Sequence, residues 1–200
     1  MIKAIIFDFD GVLGDTYDIN FTVSKMFDKN ISEQDFKDHH NGNVFKKPKI
    51  KYKPEDYPVF FRKQKQLFTK KHLFPLKKVL KKLHNKFQLL VISSTIDENI
   101  KHFLSLGNYN RFFQKIFGAT THRSKVEKFK MIFKQYNLQS QECLFITDTV
   151  GDIKEAREVN VQTIAITWGY HDEKFLSAHK PLAIANNTDE LLQVIEKHTV

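Results

Sequence analysis

Apolar and polar positions fall in alternating blocks along this chain. Residues 2–7, Ile-Lys-Ala-Ile-Ile-Phe, form a short, β-branched and almost wholly apolar run, the pattern of a strand buried on both faces of a parallel sheet. Runs of this kind predict strands over residues 3–8, 88–92, 115–117, 143–147 and 162–166. Between them, apolar residues recur at helical spacing. Leu76, Val79, Leu80 and Leu83 predict a helix over 74–86, a second over 97–106 stops at Gly107, and Val126, Phe129, Ile132 and Phe133 predict a third over 125–136. Strands alternating with helices predict an α/β fold built on a doubly wound parallel sheet.

The interval from residue 17 to 72 breaks that rhythm. Helical spacing appears over 19–27, 32–38 and 57–70, separated by the polar stretch His39-His40-Asn41-Gly42-Asn43 and a connection rich in Lys and Pro. The interval reads as a small helical insert, residues 17–72, within a core made of residues 1–16 and 73–200. Because it follows the first strand, it is expected over the carboxyl ends of the strands, where open α/β sheets bind ligands, and there it would act as a lid.

Two hundred residues of which 41% are hydrophobic suffice for one core and a modest insert. No run of about 18 apolar residues occurs, so no membrane partner is expected. A signal peptide does not fit the opening strand, and a cytoplasmic protein is expected. Cys143 is the single cysteine; it excludes an intrachain disulfide and reads as a small buried hydrophobe. The net charge of +9, from 32 Lys and Arg against 23 Asp and Glu, is concentrated between Lys46 and Lys86, in pairs such as Lys46-Lys47, Lys70-Lys71, Lys77-Lys78 and Lys81-Lys82. It favours anionic partners. No helix-turn-helix, zinc-finger or RNA-recognition signature accompanies it, so a nucleic-acid partner is not the expectation. A non-catalytic basic domain docking on nucleic acid or an acidic protein stays open as an alternative. Phe60, Phe61 and Phe68 suit an insert core, a lid interface or a dimer contact, and a monomer or homodimer is expected.

The chemistry-bearing residues gather at predicted strand ends. Asp8 and Asp10 leave the first strand just before Gly11 and Gly14, which permit a tight turn. One carboxylate could attack phosphorus while the other handles the proton of the leaving oxygen. An EF-hand would need Gly sixth and Glu twelfth, whereas Gly11 stands fourth and Ile19 twelfth. Ser93-Ser94-Thr95 follows the second strand and offers hydroxyl and N–H groups either for phosphate or as a helix cap. Asp148 and Asp152 follow the strand over 143–147. Mg2+ is satisfied by one or two carboxylates with waters and phosphate oxygens, so Asp8 and Asp148 would suffice, and Asp152 could equally be an N-cap. Lys125 opens a helix where its ammonium could neutralise a nucleophilic carboxylate and a phosphoryl group.

In order and spacing, Asp8 to Thr16, Ser93, Lys125 and Asp148 to Asp152 resemble the four motifs of the haloacid dehalogenase superfamily of hydrolases. Trp168-Gly169-Tyr170-His171 and the position of the insert resemble its phosphoglycolate phosphatase-like branch, which has a small helical C1-type cap. The resemblance implies a Rossmann-like core with that cap after the first strand, and a Mg2+-dependent phosphatase acting on a small phosphorylated metabolite through an aspartyl-phosphate. It implies Asp8 as nucleophile, Asp10 as acid and base, and Gly11, Ser93, Ser94 and Lys125 around the phosphoryl group. The metal would be held by Asp8, the Asp10 carbonyl and Asp148, with Asp152 in support, and a loop at His40, Asn41 and Gly42 would select substrate. Lys37 and His39 flank that loop, and His122 and His171 would stand at the crevice rim. Acidic Asp10 separates the chain from true dehalogenases. A phosphomutase of the same superfamily remains an alternative, although such mutases usually carry a histidine near the position of Asn20. Thr147 stands where the family usually has glycine, and Gly14 where it usually has a bulky residue.

Overall fold

The computed structural model describes residues 1–46 and 48–199. Lys47, half of the Lys46-Lys47 pair, and Val200 lie outside the described residues. Six parallel strands form one sheet in the order β3-β2-β1-β4-β5-β6: β1 Ala4–Phe7, β2 Gln88–Ile92, β3 Lys115–Phe117, β4 Cys143–Thr147, β5 Gln162–Ile166 and β6 Ala183–Ala185. β1 is central, with Phe7 paired to Val91 on one side and Ile146 on the other.

Alternation along each strand divides the core into two layers. Ile5, Phe7, Leu89, Val91, Leu144 and Ile146 pack with α4 (Lys77–His84), α5 (Asp97–Leu106) and α9 (Thr188–Thr199). Ala4, Ile6, Leu90, Ile92, Cys143 and Phe145 pack with Phe129 and Ile132 of α6 (Lys125–Tyr136) and Ala156 of α7 (Val150–Glu158). Burial pushes the Cys143 thiol up to about 12, in keeping with a packing role. The sequence reading stopped at five strands. It did not include β6, α8 (Glu173–Ser177) or α9, and it ran β1 one residue too far at each end.

After β1 the chain grows toward β2 and β3, then returns to place β4 on β1's other side. Strand order reverses there, which opens a crevice beyond the carboxyl ends of β1 and β4. The insert consists of α1 (Tyr17–Phe27), α2 (Glu33–His39) and α3 (Asp56–Leu67). Its departing and returning segments run side by side, with Gly14 bridged to Leu73 and the Asp15 N–H donating to the His72 carbonyl at 2.7 Å. A β-carbon at Gly14 would stand 2.9 Å from the Phe9 ring, so the missing bulk is filled by Phe9 and Phe68. No helix among the described residues is long and apolar enough to cross a membrane.

Candidate active site

Asp8 follows β1 directly, and its N–H extends the ladder by donating to the Ile146 carbonyl at 2.9 Å. Its carboxylate is almost fully buried. Lys125, at the start of α6, places Nζ 2.9 Å from Asp8 Oδ2 and 2.6 Å from Asp152 Oδ2. Asp152 also accepts from the Thr147 hydroxyl at 2.6 Å, so the threonine that replaces the family's glycine has a defined partner. Asp152 does not cap α7. That role belongs to Thr149, whose hydroxyl accepts from the Asp152 N–H.

Charge in this buried cluster is unbalanced. Burial, with Asp152 and Asp148 adding to it and Lys125 opposing, raises Asp8 well above the usual carboxylate range. Burial also acts to raise Asp152, but Lys125, Asp8 and Thr147 outweigh it and hold its carboxyl low. Lys125 loses hydration too, yet Asp152 and Asp8 keep its ammonium well above the usual lysine value. Asp148 is fully buried, and burial pushes it to about 8 even though the Tyr170 N–H donates to its Oδ2 at 2.7 Å. Its Oδ1 has no hydrogen-bond partner. A β-carbon at Gly11 or Gly169 would overlap the same carboxylate, at 1.9 and 2.2 Å from Oδ2.

An orphaned buried carboxylate oxygen beside an excess of acids fits a hard divalent cation. Among the described residues no three His, Cys, Asp or Glu side chains form a complete metal cage. Two carboxylates, a backbone carbonyl, waters and a phosphate oxygen are the donors Mg2+ commonly takes.

Asp10 faces differently from Asp8. Its Oδ2 accepts from Thr95 Oγ1 at 2.8 Å and Ser93 Oγ at 3.1 Å, and its Oδ1 from Asn20 Nδ2 at 3.3 Å and Gln64 Nε2 at 3.4 Å. The Ser93 and Thr95 hydroxyls therefore hold Asp10 rather than cap α5, whose N-cap is Ile96. Ser94 and Thr95, but not Ser93, stand beside Asp8 and Asp10 on the cavity wall. Lys128, fully buried on α6, donates to the Ser93 carbonyl at 2.6 Å; burial and the nearby Lys125 lower it to about 7.

The loop at His40, Asn41 and Gly42 lies against α7. The Gly151 N–H donates to the His40 carbonyl at 3.0 Å, Lys154 Nζ donates to the Asn41 carbonyl at 3.0 Å, and Asn43 Nδ2 donates to Glu155 at 2.8 Å. A β-carbon on Gly151 would come 2.7 Å from the Gly42 carbonyl. His171 is buried, accepting from the Val150 N–H and donating through Nε2 to the Lys37 carbonyl of α2, while His122 is exposed and bonds only locally. Insert and core close over a cavity of about 100 Å3 lined by Asp8, Asp10, Ser94, Lys125 and Asp152 on the core side. Ser93 and Asp148 stand behind that wall.

Three residues of this network carry no site signal in the sequence. Gln64, wholly buried on α3, bonds Asp10, Asn20 and Thr95. Asn20 reaches Asp10 and the Tyr170 hydroxyl, and Lys128 completes the set. Each is a polar side chain on an otherwise buried helix face, which carries no chemistry until its partner is known.

The model of haloacid dehalogenase-like hydrolases matches residues 5–166. The chain belongs to this family. A phosphoglycolate phosphatase of Synechococcus elongatus is 25% identical over 97% of both chains, and a pyrophosphatase, PpaX, of Oceanobacillus iheyensis is 22% identical over 97% of both. A haloacid dehalogenase-like hydrolase from Streptococcus pneumoniae has the same fold, with TM-score 0.79 and 22% identity over 97% of this chain and 98% of that one. The α/β sheet with helices inserted after β1 is thus the haloacid dehalogenase fold. The family is typically Mg2+-dependent, and this hydrolase has phosphatase relatives along its full length.

Proposed function

We propose that the protein is a Mg2+-dependent phosphatase that hydrolyses a small phosphomonoester through an aspartyl-phosphate at Asp8. The observation that carries this reading is the division of labour between two neighbouring carboxylates. Asp8 is paired to Lys125 at 2.9 Å, while Asp10 is held 2.8 Å from the Thr95 hydroxyl and faces the insert. One is placed to attack and the other to move a proton.

Asp8, the Asp10 carbonyl and Asp148 would hold the metal, with Asp152 in support through Lys125. Bound there, Mg2+ supplies the positive charge that lets an anionic carboxylate approach an anionic phosphate. Asp8 Oδ attacks phosphorus in line, the bond to the leaving oxygen breaks, and Asp10 delivers a proton to that oxygen. Asp10 then takes a proton from the water that attacks the aspartyl-phosphate, returning Asp8 and releasing phosphate. Lys125, anchored by Asp152, neutralises charge on the transferred group, and the Ser94 backbone with Gly11 borders it. Ser93 acts by fixing Asp10. Residues 17–72 serve as a cap over core residues 1–16 and 73–200, and Gln64 and Asn20 couple cap closure to Asp10. Relatives named phosphoglycolate phosphatase and pyrophosphatase support phosphate-ester or phosphoanhydride chemistry without agreeing on one leaving group.

The test is phosphate release from a panel of phosphorylated metabolites with and without Mg2+. The wild type should turn over only with metal, and Asp8→Asn should lose about a thousandfold or more in kcat while keeping its fold. Comparable turnover by Asp8→Asn removes the nucleophile assignment.

A further inference from the structure

The cavity in front of Asp8 has two unlike walls. The core contributes charge, whereas the insert contributes Phe45, Tyr52, Tyr57, Phe60 and Phe61. The insert is rich in lysine, yet among the described residues neither any of its lysines nor Arg62 lines the cavity. Its two histidines there are neutral. His39 Nδ1 accepts from the Ile50 N–H at 3.2 Å, which an imidazolium cannot do, and His40 donates Nδ1–H to the Phe36 carbonyl at 2.8 Å. Burial lowers them to about 4 and, with His39 beside it, about 3. Among the described residues the one cation on the lining is Lys125, already shared by Asp8 and Asp152, and Glu155 adds a further acid.

A leaving group carrying its own negative charge would lose hydration here against ring faces and acids, with no cation to replace the water. A neutral planar ring suits the same wall by edge and face contacts. The aromatic wall is braced from outside. The Arg123 guanidinium lies 5.3 Å from the Phe45 centroid and 5.2 Å from that of Tyr57, which ties two of the rings to the core loop before α6. A space of about 100 Å3, smaller than an apolar cavity of about 150 Å3 that takes up benzene, leaves no room for more than one ring.

We infer that this hydrolase takes phosphate monoesters of an uncharged alcohol bearing a single planar ring, and discriminates against esters whose leaving group carries a carboxylate or a second phosphoryl group. The inference rests on the phosphatase reading above and specifies its substrate.

Benzyl phosphate and phosphoglycolate separate the alternatives, because both have alkyl leaving oxygens and differ in ring against carboxylate. Binding is measured by calorimetry on the Asp8→Asn protein with Mg2+, and turnover on the wild type. The expected result is a Kd for benzyl phosphate about tenfold or more below that for phosphoglycolate, and the same order in kcat/KM. Tyr57→Leu, half-exposed and checked for its fold by circular dichroism, should raise the benzyl phosphate Kd severalfold and leave that of phosphoglycolate unchanged. Equal or reversed Kd values, or no binding of either ester, overturn the inference. No wild-type turnover with the Kd order intact overturns the phosphatase reading and leaves the cavity preference standing.

Discussion

Asp148 shows most plainly how a single residue gains its chemistry from its surroundings. With no partner on Oδ1 and burial pushing it up to about 8, its protonated form is favoured, and a cation must compete with that proton. Mg2+ affinity should therefore rise with pH up to about 8, by as much as about tenfold per unit. Mg2+-induced shifts in Tm, measured across pH for the wild type and Asp148→Asn, check this; a response independent of pH in the wild type contradicts it. His40 works in the opposite sense. Its value falls from 6.5 in the unfolded chain to about 3 in the fold, so the unfolded state binds the extra proton between those limits. Its contribution to stability is complete above pH 6.5 and is lost as pH falls toward 3. Melting curves of His40→Phe should show a shallower decline over that range than the wild type, and an identical decline contradicts the assignment. Asp8, Asp10, Lys125 and Asp148 were legible in the sequence through their convergence at strand and helix ends and the resemblance of their order and spacing to the family's motifs. Gln64 and Lys128 were not, because an amide on a helix and one lysine among many look like solvated surface until Asp10 and the Ser93 carbonyl are placed against them.

At the level of elements, the turn after β1 and the helices of the insert decide what the acids can do. Gly11 has φ +73°, and a β-carbon there would stand 1.9 Å from Asp148 Oδ2. Gly11→Ala should cost about 2 kcal/mol or more in unfolding free energy, and weaken the Mg2+ response in the same melts. α3 delivers Gln64 to Asp10. Gln64→Leu should lower kcat about tenfold or more by freeing the carboxylate that moves the proton, with Mg2+ affinity unchanged; steady-state kinetics across Mg2+ concentrations separate the two effects. Strands β2 to β5 and helices α5 and α6 were readable within their observed bounds, because long apolar runs and sustained helical spacing dominate local structure. β6, three residues of Ala-Ile-Ala at the sheet edge, has too little pattern to stand out. α9 does carry helical spacing in Leu191, Leu192 and Ile195, but the chain after His171 offered no strand to frame it.

For the molecule as a whole, the reversal of strand order beside β1 brings Asp8, Ser93 and Asp148 to one crevice from three separate strands, and the insert closes that crevice from the other side. The closed arrangement is held by polar contacts: His40 and Asn41 carbonyls on α7, Asn43 on Glu155, and His171 on Lys37. Such contacts are individually modest, which suits the opening and closing that the proposed lid role requires. Among the described residues the lysines of the insert lie outside the cavity, and the net charge of +9 favours anionic ligands in general. In the proposed reaction the phosphoryl group passes through Asp8. Mass spectrometry of the wild type, acid-quenched during turnover of a hydrolysed ester with Mg2+, tests it directly. The result expected is one phosphoryl group on the peptide containing Asp8, lost on treatment with hydroxylamine and absent from Asp8→Asn. Phosphate release at an undiminished rate in Asp8→Asn, or a phosphoryl group on another residue, contradicts it.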